Sequence, residues 1–147
     1  DLKYTQNIAA IMRTAFAVGV NGIIVNPQEK NIITNETIRI SMGAAERIPL
    51  VETNLFNALK LLAKNDIKIF AVHMDGNVYF ESNLKGPVAF VMGAEDVGIT
   101  TGILERADEK ISIPMTIWLR STDCITFPLK LEIPFISEKL KMRAMKG

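Results

Sequence analysis

The sequence predicts an α/β protein with a mostly parallel sheet and helices on both faces. First, short apolar runs bounded by glycine and proline, such as residues 88–92, are typical of buried parallel strands. Second, segments of helical periodicity alternate with these runs. In residues 54–65, Leu55, Leu59 and Leu62 recur at i, i+4 and i+7. Third, no repeat or low-complexity linker interrupts the alternation, so the 147 residues are expected to form one domain, 1–147.

The predicted elements follow in chain order. Asn7 is available to cap a first helix, which is expected at residues 8–18. A short strand at 22–25 stops at Asn26 and Pro27, and Pro49 ends a second helix at 37–47. The remaining predictions are a short strand at 50–51, the helix 54–65, strands at 68–72 and 88–92, a strand or loop at 78–80, a helix at 99–107 and a strand at 110–113.

Composition excludes several classes of protein. With 48% hydrophobic residues the chain can bury a normal core, and no apolar run approaches the ~18 residues that a membrane span needs. The single cysteine, Cys124, excludes an internal disulfide framework and suits a reducing, cytoplasmic compartment. The net charge of +1 is not that of a surface built for nonspecific nucleic-acid binding, so any nucleic-acid contact must come from local clusters. The sequence contains no cluster of cysteine and histidine residues, so it does not predict a metal site.

Two loops, residues 93–98 and 113–115, are predicted to form one pocket. Each follows a predicted parallel strand, and ligands of open α/β sheets bind where such strands end. Gly93 lets the backbone approach a ligand closely, while Pro114 fixes the second loop. Glu95 adds a carboxylate at the rim. His73, the only histidine, also follows a strand end and is either a loop residue or a further pocket residue.

Ordered segments of the chain resemble motifs of the SpoU-type RNA ribose methyltransferases, a branch of the SPOUT superfamily. Asn7 through Arg13, Thr14 and Ala15 is similar to the first motif, N-x-G-x-x-x-R-T-A, and SMGAAERIP at 41–49 to a further family segment. The sequences MGAE at 92–95 and SIPM at 112–115 resemble the second motif. The resemblance covers residues 1–115, and it implies a SPOUT fold with a C-terminal trefoil knot.

The resemblance implies transfer of a methyl group from S-adenosylmethionine to a ribose 2′-hydroxyl of rRNA or tRNA, without a metal. It also implies a homodimer, with RNA approaching one subunit's pocket across the other. An extended apolar face for that dimer is offered by Ile125, Phe127, Leu129, Leu131 and Phe135. The family has a strand before the first motif, and many relatives have an N-terminal RNA-binding domain. Neither is visible before Asn7, so the chain is expected to be clipped at its start.

Three residues match catalytic positions of the first two motifs. Arg13 matches the arginine that the family assigns to the attacking hydroxyl or the neighbouring phosphate; the alternative is a helix-surface residue. Asn7 either orients that arginine or the RNA, or only caps the helix. Glu95 either anchors loops or RNA-binding residues, or is a carboxylate stabilised by a helix N-terminus.

The family's cofactor-binding positions can also be matched to residues of this chain. The adenosine part is held by positions that correspond to Gly93, Ile113 and Met115. For Ile113 and Met115, core packing alone is the other interpretation.

The third motif departs from the family pattern. Without gaps, the family's Ser-Leu-Asn falls on Ser121, Thr122 and Asp123. Ser121 matches, Thr122 replaces a leucine whose backbone contacts the cofactor, and Asp123 replaces an amide donor with an acceptor-only carboxylate. Pro128 and Pro134 are incompatible with the ordinary helix that follows in the family. These departures favour a second hypothesis, a catalytically inactive relative that binds RNA or a protein. A third, an unrelated nucleotide-binding α/β domain, would require the motif order to be accidental.

Overall fold

The computed structural model describes residues 5–27, 31–94 and 97–114. Its contacts divide the chain into two compact units. The first holds Ile24–Pro27 and the described residues from Glu52 onward, and the second holds the described residues of 5–23 and 31–51. The helices and strands are α1 (Thr5–Ala17), β1 (Ile23–Val25), α2 (Asn35–Ile40), β2 (Leu50–Glu52), α3 (Leu55–Lys64), β3 (Lys68–Val78), β4 (Val88–Val91), α4 (Thr101–Leu104) and β5 (Glu109–Ser112). The prediction of one domain stays a prediction.

The second unit is built on α1 and α2. Helix α1 buries Ala9, Met12 and Ala15, which lie three residues apart and so share one side of the helix. Thr37 of α2 and Ser41, the residue after its last turn, are buried polar residues. Both are hydrogen-bonded: Thr37 Oγ1 donates to the Ile32 carbonyl at 2.6 Å, and Ser41 Oγ accepts from the Ala45 N–H at 3.1 Å. Among the described residues, every buried side-chain nitrogen or oxygen has a hydrogen-bond partner.

The predicted cap of the first helix is wrong. Helix α1 begins at Thr5, so Asn7 lies inside it and does not cap it. Asparagine is a preferred cap residue, which is why the sequence favoured Asn7. However, neither Thr5 nor Gln6 breaks a helix, so the helix can begin before Asn7.

The single helix predicted at 37–47 is also wrong. Thr34 caps α2 by accepting the Thr37 N–H at 3.2 Å, so the helix begins earlier than predicted. It ends at Ile40 because Met42 and Gly43 adopt left-handed backbone conformations, with φ of 55° and 81°. The Gly43 N–H donates to the Ile38 carbonyl at 2.9 Å and closes the helix end. A separate 3₁₀ turn, Ala44–Glu46, follows.

The first unit contains a three-stranded parallel sheet in the order β4-β3-β5, which confirms the parallel sheet and the three predicted strands. Alternation along β3 sends Ile69 and Ala71 to one face, where Leu59 of α3 and Ile103 of α4 complete a buried core. On the other face, the ring of Phe70 stacks on that of Phe90 with centroids 5.9 Å apart. The two short strands β1 and β2 pair in a separate sheet. Helices that cover the second face of the β4-β3-β5 sheet stay a prediction.

Helix α3 confirms the helix predicted at 54–65. The Asn54 side chain accepts the N–H groups of Phe56 and Asn57, at 3.0 and 3.3 Å. Asn26, which follows β1, accepts the Leu55 N–H at 3.2 Å. At the other end, Asn65 Nδ2 donates to the Leu61 carbonyl at 2.8 Å. Asparagines at both ends therefore satisfy backbone groups that the helix leaves unpaired.

Strand β3 is longer than predicted because it contains an excursion. Ile111 of β5 is the partner of both Val72 and Asn77, so residues 73–76 leave the pairing and return to it. Of the segment predicted as a strand or a loop at 78–80, Val78 ends β3 and residues 79–80 form a turn, where the Tyr79 N–H donates to the Ser112 carbonyl at 3.0 Å. Helix α4 is shorter than the predicted 99–107 and begins after Thr100.

A polar cluster joins β3, β5 and the turn after β3. Glu109 accepts from Ser82 Oγ at 2.5 Å and from Lys68 Nζ at 3.2 Å. The hydrogen bond from Ser82, and after it that from Lys68, holds the pKa of Glu109 below its usual value. The ionised carboxylate is therefore the form that stabilises the fold.

We expect Glu109→Gln to lower the free energy of unfolding at neutral pH by about 1 kcal/mol, since water screens these partly exposed partners. The lowered pKa means that the carboxylate stabilises the protein above its unfolded-state pKa of about 4.3, and that this contribution is lost as pH falls through the folded-state pKa. Urea unfolding at a series of pH values measures the difference. Glu105→Gln, at an exposed glutamate, is the control. A difference between parent and Glu109→Gln that persists unchanged in acid would contradict the assignment.

Candidate functional site

The parallel sheet brings the two predicted loops to one edge. Val91 of β4 pairs with Ala71, and Ile111 of β5 pairs with the adjacent Val72, on opposite sides of β3. Gly93 and Ile113 follow these residues, so both loops leave the sheet at the carboxyl ends of the strands. With one strand between them, the two loops are separated by roughly 10 Å.

A pocket of about 340 Å³ lies where β4 ends. It is bounded by the start of α3, the end of β4 and the segment leading into α4. Its lining residues are Asn26, Leu55, Phe56, Val91, Met92, Gly93, Gly98, Ile99, Thr100, Gly102 and Ile103. Gly93 is the predicted cofactor residue that lines it, and Ile113 is not among the described residues of its wall. Most of the wall is apolar, with a few polar groups at the rim, as in small-molecule sites.

The fold itself requires a glycine at position 93, while its predicted contact with a ligand stays a prediction. A Cβ at this position would collide with the backbone of Gly98 and Ile99. The loop closes here through two hydrogen bonds, the Ala94 N–H to the Gly98 carbonyl at 3.2 Å and the Gly98 N–H to the Ala94 carbonyl at 2.9 Å. Gly98 has a φ of +67°. Glycine at position 93 therefore permits the two ends of the loop to meet. The space that a side chain would need is filled by the backbone of Gly98 and Ile99.

Asn26 is a pocket residue that the sequence analysis missed. The sequence marked it only as the residue that stops β1. In the structure its side chain accepts the Leu55 N–H and also lines the pocket. This hydrogen bond joins residues 29 positions apart, so no local pattern in the sequence predicts it. The only signal at Asn26 is a polar residue placed between an apolar strand and Pro27.

His73 begins the excursion of β3 at the same sheet edge. Its Nδ1 accepts the Asp75 N–H at 3.2 Å and lies 3.7 Å from Asp75 Oδ2. In the neutral ring, the proton is therefore assigned to Nε2. His73 is not among the described lining residues of the pocket at Gly93, and its structural contacts are those of a loop residue.

Arg13 and Asn7 lie on α1, in the second unit. Arg13 is exposed and Asn7 is half-buried. Their spacing places them about 120° apart around the helix axis, with a rise of about 9 Å between them. Ala9, Met12 and Ala15 form the buried side of α1, and Arg13 is not among them. The other predicted site residues, Glu95, Met115, Ser121, Thr122 and Asp123, lie outside the described residues, and their roles stay predictions.

No group of three or more His, Cys, Asp or Glu side chains among residues 5–27, 31–94 and 97–114 is arranged to hold a metal ion. In the same part of the chain, the helices are too short and too polar to cross a membrane.

The chain thus combines ordered sequence motifs with a parallel sheet whose strand ends meet at one edge. The model of the SpoU rRNA methylase family matches residues 1–122, and the chain belongs to this family. It is 38% identical over 113 residues to the 23S rRNA (guanosine-2′-O-)-methyltransferase RlmB of Photorhabdus laumondii, a match that covers 75% of this chain and 46% of that protein. RlmB of Blochmanniella floridana is 36% identical over 141 residues, 94% of this chain and 54% of that protein. The chain thus spans about half the length of these curated relatives.

Solved structures share the fold. A crystal structure of an RNA 2′-O ribose methyltransferase matches with a TM-score of 0.79 and 21% identity, covering 98% of this chain and 54% of that one. An AdoMet-bound rRNA methyltransferase from Sinorhizobium meliloti matches with a TM-score of 0.74 and 22% identity, over 95% and 52% of the two chains. At these identities the matches establish the α/β fold with its parallel sheet.

We expect Gly93→Ala to lower the free energy of unfolding by about 1–3 kcal/mol, because the new methyl group must displace the backbone of the loop. Thr100→Val is the matched control. Thr100 lines the same pocket but makes no side-chain capping hydrogen bond, so its replacement is expected to change stability by less than about 0.5 kcal/mol. Chemical unfolding of the three proteins measures both effects. Equal stability of Gly93→Ala and the parent would show that the loop is not closed as described.

Proposed function

We propose that the chain is the catalytic part of an RNA methyltransferase that transfers a methyl group from S-adenosylmethionine to a ribose 2′-hydroxyl. The observation that carries the proposal is membership of the SpoU family together with a pocket beside Gly93, at the sheet edge where the second motif ends. The RlmB relatives are named as 23S rRNA enzymes, which favours rRNA over tRNA as the substrate.

The residues of the pocket fit the adenosine part of S-adenosylmethionine. Leu55, Phe56 and Ile99 give apolar walls for a flat heterocycle, and the Asn26 amide offers polar atoms at the rim. The volume of about 340 Å³ is within the usual range for small-molecule sites. Two of the AdoMet-bound proteins that share the fold, the Sinorhizobium meliloti enzyme and AviRb of Streptomyces viridochromogenes, add support. When bound, the cofactor supplies the reactive methyl group itself.

The work of the protein is then to position the RNA and to assist loss of the hydroxyl proton. In this proposal the guanidinium of Arg13 holds the phosphate next to the target ribose in a bidentate grip, and its charge favours the deprotonated hydroxyl. Its exposure on α1 supports this role, because a phosphate can reach it. Asn7, Glu95, Ser121 and Asp123 are proposed to orient RNA or loops. Backbone groups of Ile113, Met115 and Thr122 are proposed to complete the cofactor site.

We expect Arg13→Lys to reduce methyl transfer by ~10²-fold and to leave cofactor affinity nearly unchanged, since lysine keeps the charge but lacks the planar fork. Transfer of tritiated methyl groups to ribosomal and transfer RNA, beside calorimetric titration with S-adenosylmethionine, measures both quantities. Arg39→Lys, at an exposed arginine of α2, is the control.

Two other outcomes of this experiment would change the conclusion. Parent-like turnover of Arg13→Lys would remove Arg13 from the mechanism. Cofactor binding without turnover in the parent itself would instead support the inactive relative, and Asp123, Pro128 and Pro134 would then be the residues to replace.

The family fold also supports a C-terminal trefoil knot and a homodimer, which we include in the proposal. An rRNA substrate also favours the cytoplasm as the compartment.

We expect sedimentation at micromolar concentration to show a dimer, and Leu131→Glu to shift it toward monomer by placing a charge in the proposed apolar face. Leu61→Glu, at an exposed leucine of α3, is the control. A monomeric parent at high concentration would contradict the dimer and, with it, a site that needs both subunits.

A further inference from the structure

A second concave surface lies on the outer side of α3, next to the end of α4. This groove, here called the α3–α4 groove, has a volume of about 380 Å³. Its lining residues are Phe56, Asn57, Leu59, Lys60, Ala63 and Arg106. Two of these residues are cations and none is acidic. The groove therefore combines local positive charge with an aromatic ring, on a chain whose net charge is only +1.

The aromatic ring and one cation of the groove are held in a fixed arrangement. The guanidinium carbon of Arg106 lies 4.8 Å from the centroid of the Phe56 ring. Arg106 Nη1 donates to the Gly102 carbonyl at 2.5 Å. A Cβ at Gly102 would lie 3.2 Å from Phe56 Cε1, so glycine there allows the ring to rest close to α4. Because both groups are already ordered, a ligand that contacts them loses less conformational entropy on binding.

We propose that the α3–α4 groove binds a nucleotide of single-stranded RNA. The part of the Phe56 ring that Arg106 leaves exposed provides a stacking surface for a base of any sequence, and the guanidinium donors of Arg106 that are not bonded to Gly102 can contact the backbone. Lys60, exposed on α3, adds a second contact for a phosphate. The absence of acidic side chains from the described lining favours a polyanion over an acidic or mixed-charge peptide. Phe56 is 43% exposed, which leaves ring surface for a base.

The groove lies beside the candidate methyl-donor site. Phe56 lines both the α3–α4 groove and the pocket at Gly93. A nucleotide stacked on Phe56 would therefore belong to the RNA segment that flanks the modified ribose. This placement rests on the proposed function, whereas RNA binding by the groove can be measured without methyl transfer.

The test uses fluorescence anisotropy of labelled single-stranded oligoadenylate with the full chain at several salt concentrations. We expect Phe56→Leu to weaken binding by about 10-fold, because leucine fills space without offering a face for stacking, and Phe56→Tyr to restore it. Lys60→Gln is expected to reduce the slope of log affinity against log salt by about 0.7, the value for one phosphate contact on a single strand. Lys85→Gln, which removes an equal charge outside the groove, is expected to leave both affinity and slope unchanged.

Three results would overturn the proposal. They are a parent that does not bind the oligonucleotide, parent-like binding by both Phe56→Leu and Lys60→Gln, and an equal loss in Lys85→Gln, which would indicate a diffuse charge effect. Lys60 is on the helix surface, so its replacement tests the groove even if a change at Phe56 disturbs the fold. Calorimetric titration with S-adenosylmethionine separates the two proposals. Cofactor binding with no RNA effect rejects the groove alone, while groove-dependent RNA binding without cofactor binding rejects the proposed function alone.

Discussion

Strand β3 is the element on which the rest of the first unit depends. It is the shared partner of β4 and β5, and both neighbours run parallel to it. Parallel pairing on both sides requires that the carboxyl ends of the neighbours meet at one edge. The buried side chains Ile69 and Ala71 attach that strand to α3 and α4. The position of the candidate site therefore follows from hydrogen bonding along one strand and from burial of one of its faces.

A second constraint operates at the end of β4, where the chain folds back on itself. The loop closes by backbone hydrogen bonds between Ala94 and Gly98, and Gly93 provides the space for that closure. The same closure shapes one wall of the pocket, because Gly93, Gly98 and Ile99 all line it. The shape of the loop thus requires a glycine here whether or not a ligand contacts it. A larger residue is expected to lower stability, so mutagenesis that measures ligand binding at this position has to measure stability as well.

Helix α3 contributes residues both to the buried core and to the two concave surfaces. Asparagines at both ends satisfy its terminal backbone groups, and Asn26 adds a bond from the segment after β1. Its inner side contributes Leu59 to the core, while its outer side presents Phe56 and Lys60. Phe56 belongs to the walls of two concave surfaces, one mostly apolar and one cationic. One helix therefore lines both the pocket proposed for the cofactor and the groove proposed for RNA.

The sequence by itself determined the class of fold, the approximate positions of α3, β4 and β5, and the family, because these depend on local periodicity, capping residues and motifs that are continuous in the chain. Only the tertiary structure decided the strand order, the excursion at residues 73–76 and the part of Asn26 in the pocket. It also ended α2 before Met42 and placed Asn7 inside α1. The physical reason is that strand pairing, burial and pocket walls join residues far apart in the chain, and the free energy of such contacts leaves no periodic signal in the sequence.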